Sequence, residues 1–95
     1  MTGGDPGRPP AEQPGSGLDP GEATLVVDAR SARCPLPVIE LARAVRGLLP
    51  GDTVLLLATD PAAAPDVAAW CRMRGQRLVA SRARDGVLEL LVEVA

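Results

Sequence analysis

The stretch that decides the fold runs from Thr24 to Leu49 and reads TLVVDARSARCPLPVIELARAVRGLL. Its first six residues, Thr24–Ala29, form a mostly apolar run of the length typical of a short buried strand. Beyond Pro37, apolar residues recur at helical spacing, while Glu40, Arg43 and Arg46 lie on the opposite side. The apolar positions are Val38, Leu41, Ala42, Val45, Leu48 and Leu49. The stretch therefore predicts a strand, a loop that contains Cys34, and an amphipathic helix.

The chain that follows repeats this alternation of strand and helix. The Pro50-Gly51-Asp52 segment predicts a firm end to the first helix, and Thr53–Ala58 is a second apolar run typical of a buried strand. We expect the second helix from about Pro65 to Arg74, because a proline at position 65 would break a helix that begins at Pro61. Gly75 is the residue type that commonly ends a helix.

The last part of the chain predicts a β-hairpin. Strands are expected over residues 76–83 and 87–94, joined by Arg84-Asp85-Gly86, whose Asp-Gly pair is a strong hairpin signal. The order of elements is then β-α-β-α-β-β. This order predicts an α/β two-layer sandwich in which two helices pack on one face of a four-stranded mixed sheet.

Length and composition limit both the architecture and the function. The chain has 95 residues, enough for one domain, and residues 1–22 hold six Gly and five Pro with very little apolar content. We therefore predict a disordered tail over 1–22 and a single domain over 23–95. The net charge is −2, and the predicted domain carries eight acids against nine Arg. Such a balance makes direct binding to nucleic acid improbable.

The chain has two cysteines and no histidine. A histidine general base is therefore excluded, and a structural zinc site lacks enough of its usual ligands, so we expect no metal or cofactor. No apolar run approaches 18 residues, which argues against direct insertion into a membrane. These features favour a cytoplasmic protein whose thiols stay reduced, and we expect a monomer.

Cys34 is the residue that could carry chemistry. It stands where the first loop meets the first helix, and unpaired N–H groups at a helix start favour a thiolate. Arg33 should add to this effect, so the sequence predicts a Cys34 pKa below the usual value of about 8.5. Pro35 and Pro37 should stiffen the segment. An accessible thiolate of this kind could accept sulfane sulfur and pass it on, whereas the alternative is a buried apolar cysteine.

Four segments of the chain resemble the TusA family of sulfurtransferases, also called SirA-like. They are Val27–Pro37 with its Cys-Pro-x-Pro motif, Leu49–Asp52, Ala58–Pro61, and Asp66 through Cys71 to Gly75. The resemblance implies a βαβαββ sandwich that carries sulfur as a persulfide on Cys34. It makes Asp28, Arg33, Pro35 and Pro37 supporting residues. The sequence departs from the family at Ser31-Ala32, where Gly-Leu is common, and at Pro65 and Ala68.

The resemblance also implies partners and pathways. The sulfur donor would be a cysteine desulfurase or a rhodanese-like protein, and the acceptor would be a downstream sulfur carrier. The pathways that the family serves include tRNA thiolation, sulfur oxidation and cofactor synthesis. Arg72, Arg74 and Arg77 form either a partner-docking patch or an ordinary solvated face.

Two other functions remain open at the level of the sequence. One is a non-catalytic regulatory or interaction module for protein or RNA, because the same small architecture serves such roles. The other is a thiol redox sensor in which Cys71 resolves an oxidised Cys34. The helical position of Cys71 places it on the inner face of the second helix and favours a core residue instead.

Overall fold

The computed structural model describes residues 18–95 as a β-α-β-α-β-β chain, and it confirms the predicted order. The elements are β1 (Leu25–Ala29), α1 (Leu36–Val45), β2 (Thr53–Ala58), α2 (Ala63–Arg74), β3 (Arg77–Arg84) and β4 (Val87–Glu93). Most of the predicted tail, residues 1–17, lies outside the described residues. Its last part, Pro20–Glu22, forms one 3-10 turn, which the Asp19 carboxylate caps by accepting from the Gly21 N–H.

The four strands form one mixed sheet in the order β1-β2-β4-β3. β1 pairs parallel with β2, from Leu25 opposite Val54 to Ala29 opposite Ala58, and β4 pairs antiparallel with both β2 and β3. The predicted two-layer sandwich on a mixed sheet is thus confirmed. Because β1 and β2 are parallel and end in register, the loops that follow Ala29 and Ala58 leave the sheet side by side.

Both helices pack against one face of the sheet, and the apolar core lies between the two layers. Ten buried residues form this core: Ala29, Leu41, Val54, Leu56, Ala58, Ala63, Val67, Cys71, Leu90 and Val92. The chain contains no Phe or Tyr, so these small and aliphatic side chains fill the layer. Burial of this apolar surface is the main source of stability in a domain of this size.

Charged side chains lie along the other half of the sheet, on β3 and β4. Glu89 is nearly buried and accepts a hydrogen bond from Arg82 Nε at 2.6 Å, while Arg84 lies at 3.5 Å from the same carboxylate. At the opposite end of the two strands Arg77 pairs with Glu93 at 3.1 Å. The basic residues of β3 are therefore paired with carboxylates of β4.

The ends of the two helices differ from the predicted ones. Apolar spacing continues to Leu49, but α1 ends at Val45 and is followed by tight turns in which Gly47 N–H bonds to Ala44 and Leu48 N–H to Val45. The second helix begins at Ala63 instead of Pro65. Pro65 is then the third helical residue. A residue in the first turn has no helical partner for its N–H, so the absence of an N–H in proline breaks no hydrogen bond there.

The residues predicted to end α2 and to form the hairpin turn adopt the expected conformations. Gly75 adopts the left-handed conformation with φ 74° and donates to the Cys71 carbonyl, which ends α2. Asp85 and Gly86 both have positive φ, 54° and 78°, in the turn between β3 and β4. Within residues 18–95 neither helix has the length and apolar character that a membrane crossing requires.

Candidate functional site

The candidate site is built from the two loops that leave β1 and β2 together. Hydrogen bonds join them: Ser31 N–H donates to Thr59 Oγ1 at 2.8 Å, and Cys34 N–H donates to Asp60 Oδ2 at 2.9 Å. The carboxylate of Asp60 also accepts from Ala62 N–H at 3.0 Å through its second oxygen. Asp60 therefore fixes the backbone at Cys34 and at the start of the segment that leads into α2.

The loop turns at Ser31, which has a φ of 72°. Residues with a side chain rarely adopt this left-handed conformation, whereas glycine adopts it without a steric penalty. Ser31 therefore adopts this conformation at a conformational cost that a glycine would not have. The hydrogen bond from the Ser31 N–H to Thr59 Oγ1 holds the loop in this conformation.

We expect Ser31→Gly to raise the free energy of unfolding by about 1 kcal/mol, because it removes the left-handed penalty and keeps the bond to Thr59. Ser81→Gly is the matched control, since Ser81 lies within β3, where glycine weakens a strand by about 0.5–1 kcal/mol. Urea unfolding of both variants measures the difference. Equal effects of the two substitutions would contradict this interpretation of Ser31.

The Cys34 thiol is half-buried and packs at the margin of the core together with Ala32 and Val38. Its pKa is raised to about 11, first by burial, then by the Asp66 carboxylate, which accepts from the protonated thiol and repels the thiolate, and by the charge of Asp60. The predicted lowering of this pKa is therefore wrong. The α1 helix begins at Leu36 and not at Cys34, and the nearest charges to the thiol are negative.

Asp60 and Asp66 are the site residues that the sequence did not predict in this role. Hydrogen bonds from the N–H groups of Cys34 and Ala62, together with the positive charge of Arg33, lower the pKa of Asp60 and keep it ionised. Asp60 belongs to the Ala58–Pro61 segment that resembles the family, but that resemblance assigns it no role at Cys34. Asp66 lies in the first turn of α2, and nothing in its local pattern indicates that it faces Cys34.

The two charged residues predicted to support Cys34 act elsewhere. Arg33 is exposed, and its charge acts on Asp60. The carboxylate of Asp28 accepts from Arg30 Nε at 2.9 Å, from an Arg30 terminal nitrogen at 2.8 Å and from Arg30 N–H at 3.1 Å, which lowers its pKa to about 2. None of these Asp28 hydrogen bonds reaches Cys34. Asp28 therefore orders the exit from β1.

The two prolines of the motif hold the segment between Cys34 and α1. Pro35 is the residue before the helix, and its carbonyl accepts from Ile39 N–H at 3.0 Å. The Cys34–Pro35 peptide bond is cis. Pro37 is buried in the first helical turn, where the missing N–H is not needed. Pro35 and Pro37 thus both lie at the start of α1, directly after Cys34.

The basic residues predicted to form a docking patch are not close to the thiol along α2. Arg72 and Arg74 are exposed in the last turn, six and eight residues after Asp66, which corresponds to about 9–12 Å along the helix. Arg77 is paired with Glu93.

Across residues 18–95 no group of three or more His, Cys, Asp or Glu side chains is arranged to hold a metal ion.

The second cysteine lies in the core, as its helical position predicts. Cys71 is 3% exposed and packs with Ala63 and Val67 on the inner face of α2, and burial raises its pKa. A resolving cysteine must be accessible and form a thiolate. Cys71 has neither property, which argues against the redox-sensor hypothesis.

Two open grooves are lined by residues that neighbour Cys34 in the chain. The first, of about 360 Å³, is lined by residues 31–33 and 59–61 and is mainly polar. The second, of about 240 Å³, lies between α1 and α2 and is lined by Pro35, Val38, Asp66, Ala69, Trp70 and Met73. Arg33 lines one groove and Pro35 lines the other, so the two residues next to Cys34 in the chain each border a surface that another protein can approach.

The fold and the site define a class of protein: a small α/β domain that presents one surface thiol on a Cys-Pro-x-Pro loop. The family model of sulfurtransferase TusA matches residues 25–94, which is most of the chain. The chain therefore belongs to the TusA family.

Individual relatives agree with this assignment. The chain is 36% identical over 67 residues to the candidate sulfur carrier proteins NMA0882 and NMB0681 of Neisseria meningitidis serogroups A and B, and each match covers 70% of this chain and 90% of the relative. The crystal structure of the SirA-like protein DSY4693 from Desulfitobacterium hafniense has the same fold, with a TM-score of 0.67 at 24% identity. That match covers 73% of this chain and 95% of the other.

Proposed function

We propose that this protein is a sulfur carrier that holds sulfane sulfur as a persulfide on Cys34 and relays it to an acceptor protein. The observation that carries the proposal is the contrast between the two thiols. Cys34 is partly exposed on a loop whose neighbouring residues, Arg33 and Pro35, line two open grooves, whereas Cys71 is enclosed in the core. Membership of the TusA family supports a sulfur carrier role.

The proposed relay consists of two thiol exchanges that leave the total oxidation state unchanged. The Cys34 thiolate attacks the outer sulfur of a donor persulfide, so that a bond forms from Cys34 to that sulfur and the bond to the donor sulfur breaks. The donor leaves as a thiolate and takes up a proton. An acceptor thiolate then attacks the outer sulfur on Cys34 in the same way and restores the Cys34 thiol.

The carboxylates around Cys34 determine when this exchange takes place. The raised pKa means that the thiol of the free protein is almost entirely protonated near neutral pH. We therefore expect proton loss to accompany docking of the donor, which changes the charge around the thiol. In this proposal the N–H groups of Cys34 and Ala62, assisted by the charge of Arg33, keep Asp60 ionised, and Pro35 and Pro37 position the sulfur.

The partners and the pathway are also proposals. A cysteine desulfurase or a rhodanese-like protein would supply the sulfur, and a downstream carrier in tRNA thiolation, sulfur oxidation or cofactor synthesis would receive it. Such exchange would take place in the cytoplasm, where thiols remain reduced. Arg72 and Arg74, exposed at the far end of α2, would provide a secondary contact for a partner.

Incubation with a cysteine desulfurase and L-cysteine tests the function directly. Mass spectrometry of the intact protein and of its peptides should show an added mass of about 32 Da, one sulfur atom, on the peptide that contains Cys34. Cys34→Ala should abolish this adduct, and Cys71→Ala should retain it. An unmodified wild-type protein under conditions that load a known carrier would instead favour the non-catalytic interaction module.

A further inference from the structure

The groove between α1 and α2 is an apolar surface next to the thiol. Val38 lines it from α1, and Ala69, Trp70 and Met73 line it from α2. Met73 is 76% exposed, although apolar side chains of this size usually lie in the interior. The small side chain of Ala69 leaves the space between the helices open. Aromatic and Met side chains are enriched at the buried centres of protein interfaces, which makes this groove a candidate docking surface.

The groove has a definite charge at the end that adjoins Cys34. Of the described residues that line it, Asp66 is the only charged one, and it shares the groove with Pro35, which follows Cys34 in the chain. Asp60 adds a second negative charge that acts on the Cys34 thiol, but the positive charge of Arg33 already acts on Asp60. The position of Asp66 therefore favours a partner that brings a positive charge to the groove and its thiol.

The size of the groove indicates what occupies it. Its volume of about 240 Å³ is below the range of about 300–1,000 Å³ that is usual for small-molecule sites. A groove of this volume, open along its length, suits one or two side chains of another protein. An apolar side chain fits the Val38, Trp70 and Met73 walls, and a neighbouring cation fits Asp66.

Building on the proposed sulfur carrier function, we propose that the α1–α2 groove docks the protein that exchanges sulfur with Cys34. The partner inserts an apolar side chain between Val38 and Trp70, and a Lys or Arg of the same segment pairs with Asp66. The ion pair also removes a repulsion that opposes the Cys34 thiolate. Docking of the correct partner and activation of the thiol are then one event.

Peptide disulfides test this proposal without any knowledge of the partner. Three short peptides carry a cysteine activated as a mixed disulfide with 5-thio-2-nitrobenzoate, flanked by Arg and Leu, by Glu and Leu, or by Arg and Gly. Cys34 attacks the peptide sulfur, a protein–peptide disulfide forms, and the yellow nitrothiobenzoate thiolate leaves while the thiol proton passes to the buffer. Its release gives the rate, and Cys34→Ala gives the blank.

The Arg-Leu peptide should react about tenfold faster than either of the other two. Each of the other peptides loses one favourable side-chain contact, and a factor of ten corresponds to about 1.4 kcal/mol. Asp66→Asn should abolish the preference for Arg over Glu, and Met73→Gln should reduce the preference for Leu over Gly. Leu49→Gln is the matched control, because Leu49 is 71% exposed but lies beyond the other end of α1. It should leave both preferences unchanged.

Equal rates for the three peptides would overturn the proposal, as would preferences that survive both groove variants. A second copy of this chain in the groove would also overturn it, and would appear as a change in the fluorescence of Trp70, the only tryptophan, with protein concentration. The peptide assay contains no sulfur donor. A protein that gains a persulfide on Cys34 but shows no peptide preference therefore retains the proposed function and loses only this docking surface.

Discussion

Replacement of Asp66 by asparagine is expected to lower the pKa of Cys34 and to speed its alkylation about tenfold near pH 8. The carboxylate of Asp66 stabilises the thiol as a hydrogen-bond acceptor and opposes the thiolate by its charge. Asparagine keeps the size of the side chain and removes the charge. Well below the pKa the thiolate fraction is proportional to the acid dissociation constant of the thiol, so a fall of about one in pKa gives about ten times more thiolate.

The measurement is the rate of iodoacetamide alkylation of the Cys34 peptide as a function of pH. In the wild-type protein the rate should still rise at pH 9–10, because the pKa lies at about 11. In Asp66→Asn the inflection should move to lower pH. Asp28→Asn is the matched control, since the Asp28 carboxylate is bound to Arg30, and its profile should coincide with that of the wild type. A wild-type inflection at or below about 8.5 would contradict this account.

A protonated resting thiol is consistent with the work of a carrier. Alkylation and oxidation of cysteine proceed through the thiolate, so a raised pKa protects Cys34 while the protein is free. The same property would make uncatalysed exchange slow. If Cys34 carries sulfur as proposed, the carboxylates of Asp60 and Asp66 would restrict exchange to complexes in which the partner changes the electrostatics of the site. The site would then gain selectivity from groups that are unfavourable in an enzyme acting alone.

The fold follows from signals that are local in the sequence. The apolar runs at Thr24–Ala29 and Thr53–Ala58, the helical spacing after Pro37 and the Asp85-Gly86 turn each determine one element, and the structure has all of them. The position of β4 between β2 and β3 does not follow from local signals, because it depends on pairing between segments that are distant in the sequence. The strand ends differ from the predicted ones by at most one residue, and the helix ends differ by more. Turn hydrogen bonds end α1 at Val45, and α2 begins at Ala63 because Pro65 fits the first helical turn.

The site could be predicted only in part, because some of its residues are distant from Cys34 in the sequence. The position of Cys34 in a loop flanked by prolines is visible in the sequence, and so is its place at the end of the first strand. The charge around it depends on Asp60, 26 residues away, and on Asp66 in another helix. The predicted lowering of the Cys34 pKa depends only on residues near it in the sequence. In the structure α1 begins at Leu36, and the Cys34 N–H is bound to Asp60.

Cys71→Ser is expected to lower the free energy of unfolding by about 1–3 kcal/mol and to leave sulfur loading of Cys34 intact. Cys71 is 3% exposed and is surrounded by apolar side chains, including Val67 on the same helix face. Serine is similar in shape but places a hydroxyl there, and a bond to the carbonyl one turn earlier would offset only part of the cost of desolvation.

Cys71→Ala separates the polarity of the side chain from its volume. Alanine also removes the sulfur but adds no polar group, so it should destabilise the protein less than serine does if desolvation of the hydroxyl dominates. Urea unfolding followed by the fluorescence of Trp70, the neighbour of Cys71 in α2, gives both values under identical conditions. Loss of the Cys34 persulfide in either variant at unchanged stability would show that Cys71 takes part in the relay. Retained loading at reduced stability places Cys71 in the core alone and leaves Cys34 as the sulfur-bearing thiol.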